Sequence, residues 1–181
     1  MDLGRGHGYP YFTRMKEIRY KPIGVIHSPF TKVEGMPIQP PGAAGVVGTV
    51  KLLAKYGKGL QDIDGFSHII LIYHLHRSKG ISLTVVPFLD TVAHGIFATR
   101  SPRRPNPIGI SVVKFIRREK NILHIEDVDI IDGTPLLDIK PYVPTFDGRR
   151  TKRLGWLTKN VHRVKRMRSD RRFSRTCKDH G

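Results

Sequence analysis

Sulfur and acidity are what this chain has least of. Its single cysteine, Cys177, leaves no partner for an internal disulfide and no C-x-x-C pair. Its setting in the polar end "SRTCKDHG" reads as an inert thiol rather than a pocketed nucleophile. No apolar run approaches the roughly 20 residues of a membrane-spanning helix, so no membrane association is expected. The opening "MDLGRGHGYPYFTRMKEIRY" lacks an unbroken apolar core and a small-residue cleavage site, which argues against a signal peptide and for a cytoplasmic protein. G-x-G-x-x-G, the P-loop and H-E-x-x-H are missing too. Nucleotide hydrolysis and thiolate–metal chemistry lose support accordingly.

The scarcity of acid leaves 15 Asp and Glu against 32 Lys and Arg, a formal charge of +17. Residues 149–181 hold 13 of those cations against Asp170 and Asp179, so +11 lies in this segment and +6 in the other 148 residues. Such a lopsided charge favours an anionic partner, because each neutralised phosphate releases condensed counterions. A solvated tail that only keeps the protein soluble is the alternative. Within it, Leu154, Leu157, Val161, Val164 and Met167 recur at three- and four-residue spacing. This predicts a short amphipathic helix docked on the domain with its cations outward, and Trp156 as either its docking anchor, the favoured reading, or a base-stacking platform.

A length of 181 residues with 39% hydrophobic content suits one domain. We read residues 1–16 as a mobile end, 17–148 as a β domain and 149–181 as a basic, partly helical extension. The pattern is mainly β. "IRYKPIGVIHSPF", "AGVVGTVKLL", "FSHIILIYHLH", "SLTVVPF", "HGIFATR", "IGISVVKFIRR", "ILHIEDVDI" and "TPLLDIKPYV" follow at short spacing, with a helical turn in "KYGKGLQDIDG". Many short strands with turn signals between them imply a closed or curled sheet, hence a small β-barrel-like fold.

Two features hint at chemistry. Pro102, Pro105 and Pro107 exclude helix and regular strand from Ser101 to Pro107, so Arg103, Arg104 and Asn106 ride on a pre-ordered segment that loses little entropy on binding. Gly109 permits close approach where the chain returns to a strand. His68, His74 and His76 share one parity of a strand, which a metal site or a polar pocket would explain; the pocket is favoured, with His27 and His94 as further candidates.

Four polar segments at strand ends carry a resemblance: "GMPIQPPG", "YHLHR", "FATRSPRRPNPIG" and "DGTPLLDIKPYVP". In order and spacing, from about Ile18 to Asp147, they closely resemble the TsaA-like family, also called YaeB or TrmO. Its characterised bacterial member is an S-adenosylmethionine-dependent methyltransferase acting on N6-threonylcarbamoyladenosine in tRNA. The resemblance implies a small β-barrel-like, non-Rossmann methyltransferase, a homodimer, S-adenosylmethionine as cofactor and tRNA as partner. It also implies a cofactor site at Pro37, Ile38, Gln39, His76, Arg77, Arg100, Ile110, Asp132, Gly133, Thr134 and Pro135. Ile38 stands where the family usually has arginine and Arg77 where it has glutamine, so Arg77 could carry the displaced cation or the contact could differ.

The residue types suit that chemistry. Arg100 can fork onto a carboxylate, and Asp132 in a tight turn offers a rigid acceptor, although an ion pair between Arg100 and Asp132 or Asp138 would serve structure alone. Methyl transfer from a sulfonium needs mainly alignment, helped by a proton acceptor; Asp138, Asp132 and His76 are candidates. Arg103, Arg104 and Asn106 would position substrate. A non-catalytic RNA-binding protein and a His-cluster metal-dependent hydrolase are the competing readings.

Overall fold

The computed structural model describes residues 17–173. The predicted N-terminal end at 1–16, together with Cys177, falls outside the described residues. Among the described residues eight strands form, in chain order β1 (Gly24–His27), β2 (Val47–Leu52), β3 (His68–His74), β4 (Thr84–Val85), β5 (His94–Gly95), β6 (Ile108–Glu119), β7 (Ile122–Glu126) and β8 (Thr134–Pro141). Six of them close an antiparallel barrel in the order β1-β2-β7-β6-β3-β8, while β4 and β5 pair apart from it. Closure leaves these six strands no free edge.

Alternation explains which side chains fill the barrel. Along β6, Gly109, Ser111, Val113 and Phe115 turn inward, while Ile108, Ile110 and Lys114 turn out. Ile69, Leu71 and Tyr73 of β3 meet them, with Ile26, Val50, Leu123, Ile125 and Leu136 from the remaining strands. Each fully buried aliphatic side chain contributes about 1.5–3 kcal/mol of transfer free energy. The expected helical turn appears as 3-10 turns at Ala54–Leu60 and Ile63–Gly65, which deliver Leu60 and Ile63 into the same core. A bulge at Leu137 resets β8, so Asp138 points away from the core that Ile139 joins.

Antiparallel pairing decides where the loops go. His27, Val47, His74, Ile108, Glu126 and Thr134 all end or begin their strands at one end of the barrel. The connections 28–46, 75–107 and 127–133 therefore emerge together there, bringing with them most of the four polar segments.

Three expectations are corrected. "SLTVVPF" and "HGIFATR" shrink to the two-residue strands β4 and β5, and the second passes into a 3-10 turn at Ile96–Ala98. Pro87 ends the first run, and the apolar side chains Val85 and Ile96 instead build a small separate core with Phe173. The amphipathic helix predicted over residues 154–167 is replaced by 3-10 turns at Gly155–Lys159 and Val161–Arg163. Gly155 enters at φ +56° and Asn160 interrupts at φ −119°, so no α-helical run can propagate.

Candidate functional site

The outer face of β6 is the floor of the larger cavity, a cleft of about 950 Å³. Ile110 and Val112 rise from that floor. Ile38, Gln39, Pro40 and Pro41 wall one side, residues 97–102 another, and Trp156, Leu157, Val161 and Val164 a third. At its edge the Arg100 Nη1 donates to Gln39 Oε1 at 2.6 Å. Asp132 and Asp138 pair elsewhere, with His27 and Lys140 respectively, so Arg100 is not tied into an acidic pair with either.

The tail that forms the third wall is well anchored. Trp156 Nε1 donates to the Ala98 carbonyl at 2.8 Å, and its ring stacks on His94 at 4.7 Å. Asp90 accepts from that His94 ring at 3.0 Å, a bond that holds the Asp90 carboxyl below its ordinary range. Farther on, Ser169 exchanges backbone bonds with Gly35 and Met36, Arg171 meets Glu34, and Phe173 buries in the small core. The docking role expected of Trp156 is thus the one its contacts describe. Arg163, Lys165, Arg166 and Arg168 remain exposed on the outside of this strap.

A second, smaller pocket of about 130 Å³ opens beside the cleft, lined by His76, Arg77 and Thr134 with Tyr73 and Asp129. Pro102 and Phe173 border both cavities. His76 Nδ1 lies 3.3 Å from Thr134 Oγ1. Partial burial, then the charges of Arg77 and His74, lower the His76 pKa, so this imidazole is neutral at pH 7.

The eleven cofactor candidates therefore divide. Ile38, Gln39, Arg100 and Ile110 line the cleft; His76, Arg77 and Thr134 line the smaller pocket. Pro37 pairs with Arg168 as an isolated bridge and lines neither cavity. Asp132, Gly133 and Pro135 line neither cavity, and Asp132 is fixed by His27 and the Ser28 N–H at 3.0 and 3.2 Å. Desolvation, the largest single influence, opposes ionisation, but the bonds from His27, Ser28 and the Gly133 backbone together with the His27 charge outweigh it and hold the carboxyl below the usual range. Within one chain Ile38 and Arg77 line different cavities.

Other candidates take up plainer work. Arg104 Nη1 donates to the carbonyls of Thr99 and Ile96 at 2.8 and 3.2 Å, pinning the 3-10 turn from inside the loop. Arg103 is half-buried and Asn106 exposed. The histidines sharing a strand parity do not converge. His68 lies on the cleft wall beside Tyr142, His74 is exposed, and His27 and His94 have gone to Asp132 and Asp90. Among the described residues, no three His, Cys, Asp or Glu form a metal-holding group.

One cluster was missed by sequence reasoning. Ser111 donates to Asp129 at 2.7 Å and lies 3.0 Å from the Tyr73 hydroxyl, inside the barrel mouth. Gly109 makes this possible, since a Cβ there would lie 2.2 Å from the Tyr73 ring. The close approach expected at Gly109 is that of the ring. Burial pushes the Asp129 carboxyl up to about 6, against the Ser111 bond and the Arg100 charge, and raises the Tyr73 phenol. A polar residue on the inward parity of β6 was the available signal.

An adenosyl cofactor fits this arrangement. The cleft is mostly apolar, Arg100 and Gln39 offer polar groups at its edge, and the Oγ of Ser101, 5% exposed in the cleft wall, has no hydrogen-bond partner. Among the described residues no helix is long and apolar enough to cross a membrane.

Residues 25–148 match a family model described as the tRNA-methyltransferase O N-terminal domain. The chain is 58% identical over 156 residues to a probable S-adenosyl-L-methionine-binding protein of Pyrococcus abyssi, covering 86% of this chain and 85% of that one. It is 36% identical over 140 residues to a tRNA (adenine(37)-N6)-methyltransferase of Escherichia coli, covering 72% of this chain and 60% of that one. The crystal structure of TrmO from Pseudomonas aeruginosa superposes with a TM-score of 0.66 at 35% identity, over 78% of this chain and 63% of its own. The chain thus spans less than two thirds of these two longer proteins.

Proposed function

Because the chain belongs to the tRNA-methyltransferase O family, we propose that it methylates N6 of an adenine in tRNA with S-adenosylmethionine as methyl donor. The finer reading is that the adenine stands at position 37, next to the anticodon, and carries an N6-threonylcarbamoyl group. The observation that carries the cofactor half is the Arg100–Gln39 pair at the edge of an apolar cleft with an unpartnered buried hydroxyl in its wall.

When bound, S-adenosylmethionine supplies a methyl group already activated on a sulfonium. The chain's own contribution is to hold and align. Ile38 and Ile110 offer an apolar slot for a base, and Arg100 offers a guanidinium for a carboxylate, oriented by Gln39. Pro37, His76, Arg77, Asp132, Gly133, Thr134 and Pro135 complete the proposed cofactor site. Replacing Arg100 with alanine is expected to weaken S-adenosylmethionine binding about 10- to 100-fold in calorimetry, the worth of a charged hydrogen bond. Asp132→Ala should weaken it as well, with folding retained. Normal binding by both variants would move the cofactor site elsewhere.

A homodimer is part of this reading. Proposed cofactor residues fall on two separate cavities, and Phe97 and Ile110 of the cleft stay 74% and 54% exposed, as does Ile108 at 41% on the same outward face of β6. A second copy would cover that apolar surface and close the site. Light scattering at micromolar concentration should give twice the chain mass; a monomer with cofactor bound would reject it.

The exposed cations of the strap supply general RNA affinity, while the proline-fixed segment positions the reacting nucleotide through Arg103 and Asn106, with Arg104 holding the segment in shape through its carbonyl bonds. Replacing Arg163, Lys165, Arg166 and Arg168 with glutamine should lower the salt dependence of tRNA binding by about one in slope per lost phosphate contact. S-adenosylmethionine affinity should not change. An unaltered slope would return the tail to a solubilising role. The competing view of a non-catalytic RNA binder fits the charge but not the cofactor-type cleft.

A further inference from the structure

A carboxylate at the mouth of an apolar barrel needs a reason. Asp129 is bonded to a buried hydroxyl, that of Ser111, which also meets the Tyr73 phenol. The β6 segment that carries Ser111 floors the large cleft, while the inward hydroxyl of Ser111 meets Asp129 and Tyr73, which line the small pocket. The cluster therefore spans the partition between the two cavities over which the proposed cofactor residues divide. Neither Asp132, fixed by His27 and Ser28, nor Asp138, paired with Lys140 on the outside of β8, reaches either cavity.

We propose that Asp129 is the proton acceptor of the methyl transfer, with Ser111 and Tyr73 as the residues that hold its carboxylate in place. This rests on the methyltransferase reading above. As the nitrogen–carbon bond forms and the methyl carbon–sulfur bond breaks, the sulfur keeps the electron pair and becomes a neutral thioether. The N6 proton passes to the Asp129 carboxylate, which later returns it to water. An N6 that belongs to a urea is a weak nucleophile, so removing its proton during attack is worth more here than for a free amine.

The charged and titratable groups around Asp129 decide whether it can do this. Tyr73 on β3 stays a neutral phenol, Arg100 from the 75–107 connection adds a distant positive charge, and His76 and Arg77 share the small pocket. On its own connection Asp127 is bonded to the Gly45 N–H and Asp132 to His27. Burial raises Asp129 to about 6, near the pH at which a general base is most effective. His76 is the rival, because its own pKa is lowered from the ordinary histidine value by partial burial and Arg77.

The test compares single-turnover methylation, at saturating S-adenosylmethionine and tRNA, with calorimetric binding of each, from pH 5 to 8. Wild-type turnover tests the underlying methyltransferase reading by itself, so a failure there is distinguishable from a failure of the base assignment. In the wild type the rate should rise through pH about 6 and level off, as expected for a base of that strength. Asp129→Asn should slow the step by about 100-fold or more and remove that rise, with both affinities unchanged. Ser111→Ala, which removes the bond favouring the ionised form, should move the rise to higher pH without changing cofactor affinity. It keeps the proposal testable should Asp129→Asn not fold. His76→Gln should leave the rise in place. An Asp129→Asn variant that turns over within a few-fold of wild type, or a rise that survives Asp129→Asn and disappears in His76→Gln, overturns the assignment.

Discussion

Replacing Gly109 with alanine is expected to unseat Tyr73 and destabilise the protein by about 2–3 kcal/mol, in the upper range for overpacking a core. The added Cβ would lie 2.2, 2.5 and 2.8 Å from three atoms of the Tyr73 ring, distances at which something must move. The ring is nearly buried and hydrogen-bonded to Ser111, so it has no open rotamer to escape into without breaking that bond. Urea denaturation measures the loss directly. In a Tyr73→Ala background the same glycine substitution should cost little, because the clash partner is gone. Equal costs in both backgrounds would show that the ring is not what position 109 accommodates.

The second large effect concerns Asp129 and depends on pH. Its carboxyl holds its proton up to about 6 in the folded chain, whereas an unfolded chain releases it in the ordinary carboxylate range. Between those limits the folded state binds more protons than the unfolded one. Stability therefore falls as pH rises through the interval, and the full cost is in force above it. Asp129→Asn removes the ionisation while keeping an acceptor oxygen for Ser111. The variant should be more stable than wild type by up to about 3 kcal/mol at pH 8 and no more stable below pH 4. Denaturation midpoints at the two pH values read this out. A stability difference that is the same at both would mean that Asp129 ionises without cost in the fold. The pairing of higher stability with slower chemistry is what a buried base predicts.

Residues alone reveal the fold wherever the deciding constraint is local. Alternation in "IGISVVKFIRR" and the apolar run "HIILIYH" identified β6 and β3, because one strand face sees the core and the period is two. The turn residues gave short strands and closure. They could not separate β4 and β5 from the barrel, since β-branched side chains such as Val85 pack equally well into a satellite core with Phe173, which is distant in sequence. In the tail, three of the five residues grouped by the three- and four-residue spacing, Leu157, Val161 and Val164, line one cavity, while Leu154 and Met167 do not. The helix itself failed because Gly155 adopts positive φ, a choice that spacing does not report.

The candidate site was legible in the same uneven way. The four polar segments picked out Arg100 and Gln39, which do meet, and His76 and Thr134, which do meet. They hid the division of those residues between two cavities, because that depends on how the long connections 28–46 and 75–107 pack at the barrel end, which no local pattern reports. Arg104 reads as a free cation in "SPRRPNP" until its backbone partners are seen. Asp129 and Ser111 belong to "EDVDI" and "IGISVV", where neither looks unusual; only the inward parity of Ser111, between Gly109 and Val113, marks it.

Methyl transfer itself tests the central claim most directly. The purified chain, given S-adenosylmethionine labelled in its methyl group and tRNA bearing N6-threonylcarbamoyladenosine at position 37, should place the label in that nucleoside, as read by mass spectrometry of the digested RNA. The same tRNA without the threonylcarbamoyl group should take up little label, and Arg100→Ala should reduce uptake at subsaturating cofactor. No incorporation into either tRNA by a folded chain that binds S-adenosylmethionine would contradict the account.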